Sequence, residues 1–194
     1  MVKTKIAVLV SGGGTNLQAL LDAQAAGNIP HGEIALVVSN KAGAYALTRA
    51  ENFGVKHLVI TGKDFETQLQ AALEANGIQM IVLAGFMKIL SGAFTAKWPD
   101  RILNIHPALI PSFCGEGYYG LRVHEEALRY GVKVTGATVH FVNEIPDGGR
   151  IIAQKAVEIE EGDTPEILQR RVMEQAEWIL LPQAVELVAE QLSK

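Results

Sequence analysis

The chain has 194 residues, and 21 Asp and Glu residues outnumber 17 Lys and Arg residues, for a net charge of −4. This balance gives no basic surface for nucleic acid, and no apolar run is long enough to span a bilayer. The longest apolar run, residues 80–87, has the length of a buried strand. The single cysteine, Cys114, excludes an internal disulfide and favours a reducing compartment, so we expect a cytoplasmic protein.

Short β-rich runs alternate with helical periods along the chain, which is typical of a parallel sheet with crossover helices. The amino terminus is expected to form the first strand rather than a signal peptide, because its apolar run leads into glycines without a cleavage site. The seven predicted strands cover residues 5–10, 33–39, 56–60, 79–84, 102–105, 136–142 and 150–157.

Helical periods fill the connections between these strands. An apolar stripe follows the first strand at Leu17, Leu20, Leu21 and Ala25. A long final helix is predicted to begin at Thr164-Pro165, with a cap residue and a proline in the first turn, and Pro182 is expected to kink or break it. The other predicted helices cover residues 43–52, 64–76 and 122–130.

The sixth and seventh strands are joined by only a few residues around Pro146-Asp147-Gly148, which indicates a hairpin rather than a crossover. The sequence therefore predicts one α/β domain over residues 1–194. Its open, mostly parallel twisted sheet of about seven strands has helices on both faces and an antiparallel hairpin near the carboxyl-terminal end.

A glycine-rich segment, residues 11–16, lies between the first strand and its helix. Glycines allow backbone amides to approach a ligand, and a helix amino terminus favours an anion. The dinucleotide fingerprint would need a third glycine where Leu17 stands, and the Gly-Lys-Ser/Thr ending of a Walker loop is absent. A monophosphate is the ligand this segment favours, with a merely tight turn as the alternative.

Asn104 and His106 end the fifth predicted strand, and Pro107 should stop it. Positions two apart on a strand share a face, so an amide and an imidazole project side by side. Ligands gather beyond the carboxyl ends of parallel strands, and the hairpin with Asp147 can fold over the same edge. These groups suit acyl transfer with a stabilised oxyanion, although ordinary polar and turn residues are the alternative reading.

Four motifs occur in order along the chain: Ser-Gly-x-Gly-Thr-Asn-Leu from residue 11, Leu-Ala-Gly-Phe-Met-Lys-Ile-Leu from residue 83, Leu-Asn-Ile-His-Pro from residue 103, and His-Phe-Val-x4-Asp-Gly-Gly from residue 140. Together they resemble the phosphoribosylglycinamide formyltransferase family. The resemblance runs from the first strand to the final helix. It implies the formyltransferase fold, with formyl transfer from 10-formyltetrahydrofolate, as co-substrate, to glycinamide ribonucleotide in purine biosynthesis.

The resemblance also implies roles for individual residues, with phosphate binding in the amino-terminal half and folate binding and catalysis in the carboxyl-terminal half. We expect no metal, no nucleic-acid or membrane partner, and either a monomer or a homodimer. Asn104, His106 and Asp147 match the catalytic residues of the family. Substrate-binding positions match Gly14, Thr15, Asn16 and Glu177, and folate-binding positions match Met87, Lys88, Ile89 and Leu90 together with Asn104.

The chain departs from the family pattern at a few places. Trp178 follows Glu177 where histidine is usual, the final helix is one residue longer before Glu177, and Lys88 replaces a frequent arginine. Extra residues also occupy the loop at 113–120.

The remaining candidate groups are weaker. Cys114 has no neighbouring base in the sequence and is expected to be an incidental thiol. The four other histidines lack metal-ligand spacing and are expected to be surface or hydrogen-bonded structural residues: His31, His57, His124 and His140. For His140, a supporting role near the site is also open.

Three other functions are weighed against formyl transfer to the ribonucleotide. Formyltetrahydrofolate deformylases resemble the chain in the same three catalytic residues but carry an amino-terminal regulatory domain, which we do not expect here. Methionyl-tRNA formyltransferases carry an additional carboxyl-terminal tRNA-binding domain. A non-catalytic phosphosugar-binding module would explain the glycine segment but not the convergence of the three polar residues.

Overall fold

The computed structural model describes residues 2–193, and all of its strands lie in one sheet. Each strand alternates between the two faces of that sheet, so that Ile6, Val8 and Val10 pack on one side while Ala7 and Leu9 pack on the other. The strands are β1 (Thr4–Val10), β2 (Gly32–Ser39), β3 (His57–Val59), β4 (Met80–Leu83), β5 (Ile102–His106), β6 (Val134–Phe141) and β7 (Ile151–Glu158).

The seven-stranded sheet has the order β3-β2-β1-β4-β5-β6-β7. Its first five strands run parallel, and β6 and β7 run antiparallel to their neighbours. The predicted mixed sheet is confirmed, and the antiparallel part begins already between β5 and β6. The carboxyl ends of β1, β4 and β5 therefore meet at one edge, where ligands of open α/β sheets gather.

Helices cover both faces of the sheet, as predicted. The cluster on one face includes Leu17 and Leu21 of the first helix and residues of the final helices, while Phe65 and Leu69 anchor the other face. The helices are α1 (Thr15–Ala25), α2 (Tyr45–Asn52), α3 (Phe65–Ala75), α4 (Gly92–Thr95), α5 (Leu121–Tyr130), α6 (Pro165–Val172) and α7 (Trp178–Leu192). The short α4 was not expected from the sequence.

The carboxyl-terminal helical segment departs from its prediction. It begins as expected, with the Thr164 hydroxyl accepting a hydrogen bond from the Ile167 amide and a proline in the first turn. A π-helical turn, Met173–Glu177, then separates α6 from α7. Of the kink or break expected at Pro182, the break is wrong, because α7 continues through this buried proline. The π-turn is an irregularity of this segment that the sequence did not predict, and it widens the helix locally.

Within residues 2–193, no helix combines the length and apolar character needed to cross a membrane.

Candidate active site

Two of the predicted polar side chains lie at the carboxyl end of β5. Asn104 and His106 lie on one face of that strand, and Pro107 follows where the strand ends. Because β5 and β6 are antiparallel, Asn104 lies opposite His140 and His106 lies opposite Thr138. This register brings a second imidazole beside the Asn104 amide, a neighbour 36 residues away in the chain.

His140 connects the Asn104 amide to a carboxylate. Its Nδ1 lies 2.8 Å from the Phe141 carbonyl oxygen, and because that oxygen only accepts, Nδ1 carries a hydrogen. Its Nε2 lies 3.1 Å from Asn104 Nδ2 and 3.4 Å from Asp147 Oδ1. A neutral His140 accepts a hydrogen bond from Asn104 at Nε2, whereas a protonated ring donates to Asp147. We refer to Asn104, His106, His140 and Asp147 together as the polar corner.

Asp147 reaches the polar corner from the turn between β6 and β7. Its carboxylate Oδ2 lies 3.5 Å from His106 Nδ1 and accepts a hydrogen bond of 2.9 Å from the Gly115 amide. The turn closes tightly, since a Cβ at Gly149 would lie 1.7 Å from the Phe141 carbonyl oxygen. The Asp-Gly-Gly sequence is therefore both a turn and the element that brings a carboxylate over the sheet edge.

The ionisation of Asp147 reflects opposing influences. Burial raises the pKa of its carboxyl, but the hydrogen bond from His140 and the charge of His106 hold that pKa below its usual range. Asp147 is therefore a carboxylate at neutral pH.

His106 is buried, with an exposed fraction of 4%, and both of its ring nitrogens face oxygen acceptors. Its Nε2 lies 2.8 Å from the Phe113 carbonyl oxygen, and its Nδ1 faces Asp147. Burial lowers the pKa of His106 more than Asp147 raises it. The raising effect of Asp147 is present but outweighed, so the free protein holds a neutral ring at neutral pH that donates from Nε2 to Phe113.

Two other residues from the sequence analysis lie near the polar corner. His124 is fully buried on α5, and neither of its ring nitrogens has a hydrogen-bond partner, so the expectation of a surface or hydrogen-bonded role is wrong for it. Burial, with a smaller effect of His106, lowers the pKa of His124 to about 4, so its ring is neutral. The Cys114 thiol donates to the Pro111 carbonyl, and burial raises its pKa, which disfavours a thiolate.

The glycine loop, residues 11–16, joins β1 to α1 at the same edge of the sheet. Gly14 has φ +73°, a left-handed conformation, and a Cβ there would lie 2.6 Å from the Ala46 Cβ. No side chain caps α1, and its first turn contains no acidic residue. The amides of Gly13, Gly14 and Thr15 donate no hydrogen bond to any group of residues 2–193. These open donors, at a helix amino terminus, suit an anion.

Asn16 and Glu177 form a buried pair beside the glycine loop. Asn16 Nδ2 donates to Glu177 Oε2 over 2.7 Å, and the Asn16 Oδ1 atom is buried without a partner. Burial raises the pKa of Glu177 to about 6, against the lowering effect of the Asn16 hydrogen bond. Glu177 is the last residue of the π-turn, and its carboxylate faces Asn16.

The predicted folate segment, residues 87–90, follows β4 and lies next to the glycine loop. Met87 and Ile89 are 49% and 70% exposed, whereas Leu90 is buried in the core. The Lys88 ammonium lies 4.6 Å from the centre of the Phe65 ring.

Ser11 connects the glycine loop to this segment. Its hydroxyl accepts a hydrogen bond of 2.8 Å from the Met87 amide and donates one of 2.7 Å to Asn40 Oδ1. The sequence analysis did not identify Ser11 individually, nor the Phe113 carbonyl and Gly115 amide that contact the polar corner. Ser11 could have been found from its position directly before the glycines, but a backbone group of a distant loop gives no sequence signal.

No group of three or more His, Cys, Asp or Glu residues within residues 2–193 is placed to hold a metal ion.

The fold agrees with the comparisons to known proteins. Residues 4–185 match the model of the Formyl transferase family, and the chain belongs to that family. Among curated relatives, phosphoribosylglycinamide formyltransferase of Haemophilus influenzae is 44% identical over 177 residues, 88% of this chain and 81% of that protein.

Two further relatives extend this likeness. The trifunctional purine biosynthetic protein adenosine-3 of Gallus gallus is 48% identical over 193 residues. The match covers 96% of this chain but only 18% of that longer protein. The crystal structure of glycinamide ribonucleotide transformylase 1 from Symbiobacterium toebii superposes with a TM-score of 0.90 at 43% identity, covering 97% of this chain and 89% of that chain.

Proposed function

We propose that this protein transfers the formyl group of 10-formyltetrahydrofolate to the amine of glycinamide ribonucleotide in purine biosynthesis. One observation carries the proposal: an amide, an imidazole and a carboxylate converge at the sheet edge on which the glycine loop also opens. Membership of the Formyl transferase family and the names of the relatives support formyl transfer to this ribonucleotide.

The glycine loop is proposed to bind the phosphate of the ribonucleotide through the amides of Gly14, Thr15 and Asn16. The adjoining pair of Asn16 and Glu177 presents acceptors, one of them the buried Asn16 Oδ1 atom without a partner. An acceptor in this position calls for a donor on the ligand, and the ribonucleotide offers hydroxyl and amine hydrogens. The amino-terminal half of the chain would thus supply the phosphate site, and Glu177 would complete it from the final helix.

The folate is proposed to lie along residues 87–90 and reach Asn104. The exposed side chains of Met87 and Ile89 offer apolar surface to a flat ring system, and Leu90 anchors the segment in the core. The two proposed subsites are neighbours, because the hydroxyl of Ser11 contacts the Met87 amide. This proximity would hold an amine of one ligand against the formyl carbon of the other.

The chemistry is a direct transfer. The amine nitrogen attacks the formyl carbon, and the carbonyl electron pair moves to oxygen to give a tetrahedral oxyanion. The Asn104 amide nitrogen carries two hydrogens and lies 3.1 Å from His140 Nε2, so one N–H can face His140 while the second is available to the oxyanion. The bond from carbon to the folate nitrogen then breaks, the folate nitrogen gains a proton, and the attacking nitrogen loses one.

Asp147 and His106 are proposed to manage charge and protons in this step. Asp147 is ionised and can accept the amine proton through a water molecule, then return it to the leaving nitrogen. His106 becomes a second oxyanion donor when its Nε2–H is released from the Phe113 carbonyl. The Asp147 charge, at 3.5 Å, would also favour transfer of the proton of the attacking amine to His106 Nδ1, before that proton passes to the leaving folate nitrogen.

Hydrolysis of the formylfolate is the second candidate function, because a water molecule could replace the amine at the same three residues. A phosphate site would have no purpose in that reaction, whereas the open amides of the glycine loop and the buried Asn16 acceptor suit the ribonucleotide. A non-catalytic binding module would leave the polar corner without a role.

The deciding experiment follows tetrahydrofolate formation from 10-formyltetrahydrofolate with and without glycinamide ribonucleotide. We expect rapid formation only with the ribonucleotide, and a labelled formyl group should appear on that product. Equal rates of tetrahydrofolate and free formate release without the ribonucleotide would identify a deformylase instead.

A further inference from the structure

The glycine loop packs against α2 through its carbonyl groups. The Ala46 amide donates to the Gly12 carbonyl oxygen over 3.1 Å, and Arg49 Nε donates to the Gly13 carbonyl oxygen over 2.8 Å. Ala46 is fully buried and lies against Gly14, where even a methyl group would clash. Two consecutive carbonyl groups of the loop are thereby directed towards α2.

The direction of these carbonyl groups determines the direction of the following amides. A trans peptide is planar, and its C=O and N–H point in opposite directions. Fixing the Gly12 carbonyl towards α2 therefore turns the Gly13 N–H away from it, and fixing the Gly13 carbonyl turns the Gly14 N–H away in the same manner. Those are the amides that have no partner within residues 2–193.

Arg49 is itself held in place on three sides. Its Nη1 donates to Gln18 Oε1 of α1 over 2.8 Å, and its guanidinium carbon lies 5.0 Å from the centre of the Tyr45 ring. The guanidinium thus links α1, α2 and the loop between β1 and α1. It also places a fixed positive charge one peptide away from the open amides.

We propose that Arg49 is a positioning residue for the phosphate of the substrate. It orients the Gly13–Gly14 peptide so that the amides of the glycine loop converge on the anion. Its positive charge also favours a dianionic ligand on the opposite side of that peptide. Arg49 does not take part in formyl transfer, so its effect belongs to binding of the phosphorylated substrate alone. This inference rests on the proposed binding of phosphate by the glycine loop.

The test compares Arg49→Met and Arg49→Lys with wild-type protein, and uses Arg101→Met as the control. Arg101 is exposed at the amino end of β5, the opposite edge of the sheet. We expect Arg49→Met to raise KM for glycinamide ribonucleotide by about 10- to 100-fold, the effect of losing a charge-assisted hydrogen bond. KM for the folate and kcat at saturating ribonucleotide should be unchanged. Arg49→Lys, which keeps the charge and one donor, should recover part of the loss.

A second measurement does not depend on turnover. Inorganic phosphate is titrated into isotopically labelled protein while the amide resonances of Gly13, Gly14 and Thr15 are followed by NMR. We expect saturable shifts in the wild type and in Arg101→Met, and at least tenfold weaker binding in Arg49→Met. An Arg49→Met protein with wild-type KM and wild-type phosphate binding would overturn the role of Arg49. An equal rise in KM for both substrates would overturn it too, because it would indicate a general structural effect.

The two proposals can fail separately. Wild-type protein that shows neither phosphate-induced shifts nor ribonucleotide-dependent transfer contradicts the proposed function and, with it, the role of Arg49. Wild-type protein that shows both, with Arg49→Met indistinguishable from it, contradicts only the role of Arg49.

Discussion

The polar corner and the glycine loop lie at the same edge of the sheet but are built in opposite ways. In the polar corner, side chains from β5, β6 and the β6–β7 turn hold one another, and Asp147 and His106 are further held by backbone groups of the loop that follows β5. In the glycine loop, the proposed ligand groups are backbone amides whose orientation is set from behind by α2. Substitutions in the polar corner should therefore affect kcat, and substitutions around the loop should affect binding.

The largest effect is expected at the carboxylate of the polar corner. Asp147→Asn keeps the shape and an acceptor for the Gly115 amide, and asparagine tolerates the observed φ of 55°. We expect kcat to fall by about 10²–10⁴, the usual contribution of a positioned acid or base. The pKa of His106 should fall further below its usual value, because the raising influence of Asp147 is lost. Titration of the His106 ring by NMR in both proteins measures this, and an unchanged pKa would show that the two residues are not coupled.

Asn104→Ala tests the amide of the same corner. Removal of one oxyanion donor should lower kcat by about 10²–10³ while KM for each substrate changes little. Asn28→Ala, at an exposed asparagine after α1, is the matched control and should retain full kcat. Steady-state kinetics at saturating substrates provide the comparison, and near-normal turnover of purified Asn104→Ala would remove Asn104 from the mechanism.

Glu177 is the buried carboxylate beside the glycine loop, and its effect on stability depends on pH. Burial raises its folded-state pKa from 4.5 to about 6, so its stabilising contribution is complete below 4.5 and is lost as the pH rises through about 6. Glu177→Gln does not titrate. The free energy of unfolding of Glu177→Gln minus that of the wild type should therefore increase as the pH rises through this window. Above the window, this difference should be about 2 kcal/mol larger than at pH 4.5. Urea unfolding at pH 4.5 and 7.5 measures the change, and a pH-independent difference would contradict the burial of an ionisable Glu177.

Ser11→Ala addresses the connection between the loop and the folate segment. The substitution leaves the Met87 amide without its acceptor and Asn40 without its donor, at a residue that is 4% exposed. We expect KM to rise about tenfold for both substrates, consistent with the cost of one unsatisfied buried group. Ser193→Ala near the carboxyl terminus serves as the control. A rise confined to one substrate would show that the Ser11 bridge does not couple the two subsites.

The periodicity of the apolar residues, together with the positions of glycine and proline, was sufficient to predict most of the fold. The two-residue alternation of β1 and the apolar stripe of α1 reflect local geometry, which the chain carries wherever it folds. The pairing of Asn104 and His106 on one face also follows from spacing alone. Pro182 shows where this reasoning fails, because the tertiary packing of α7 outweighs the local tendency of proline to break a helix.

The sequence alone thus determined which segments form strands, the position of the glycine loop, and the two polar side chains that share one face of β5, since each depends on residues close together in the chain. Only the tertiary structure decided which distant groups complete the site. The antiparallel register places His140 against Asn104, the π-turn directs Glu177 to Asn16, and α2 orients the glycine loop. The ionisation of His106 was decided in the same way, because burial by distant segments outweighs the nearby carboxylate, and burial is a property of the assembled fold.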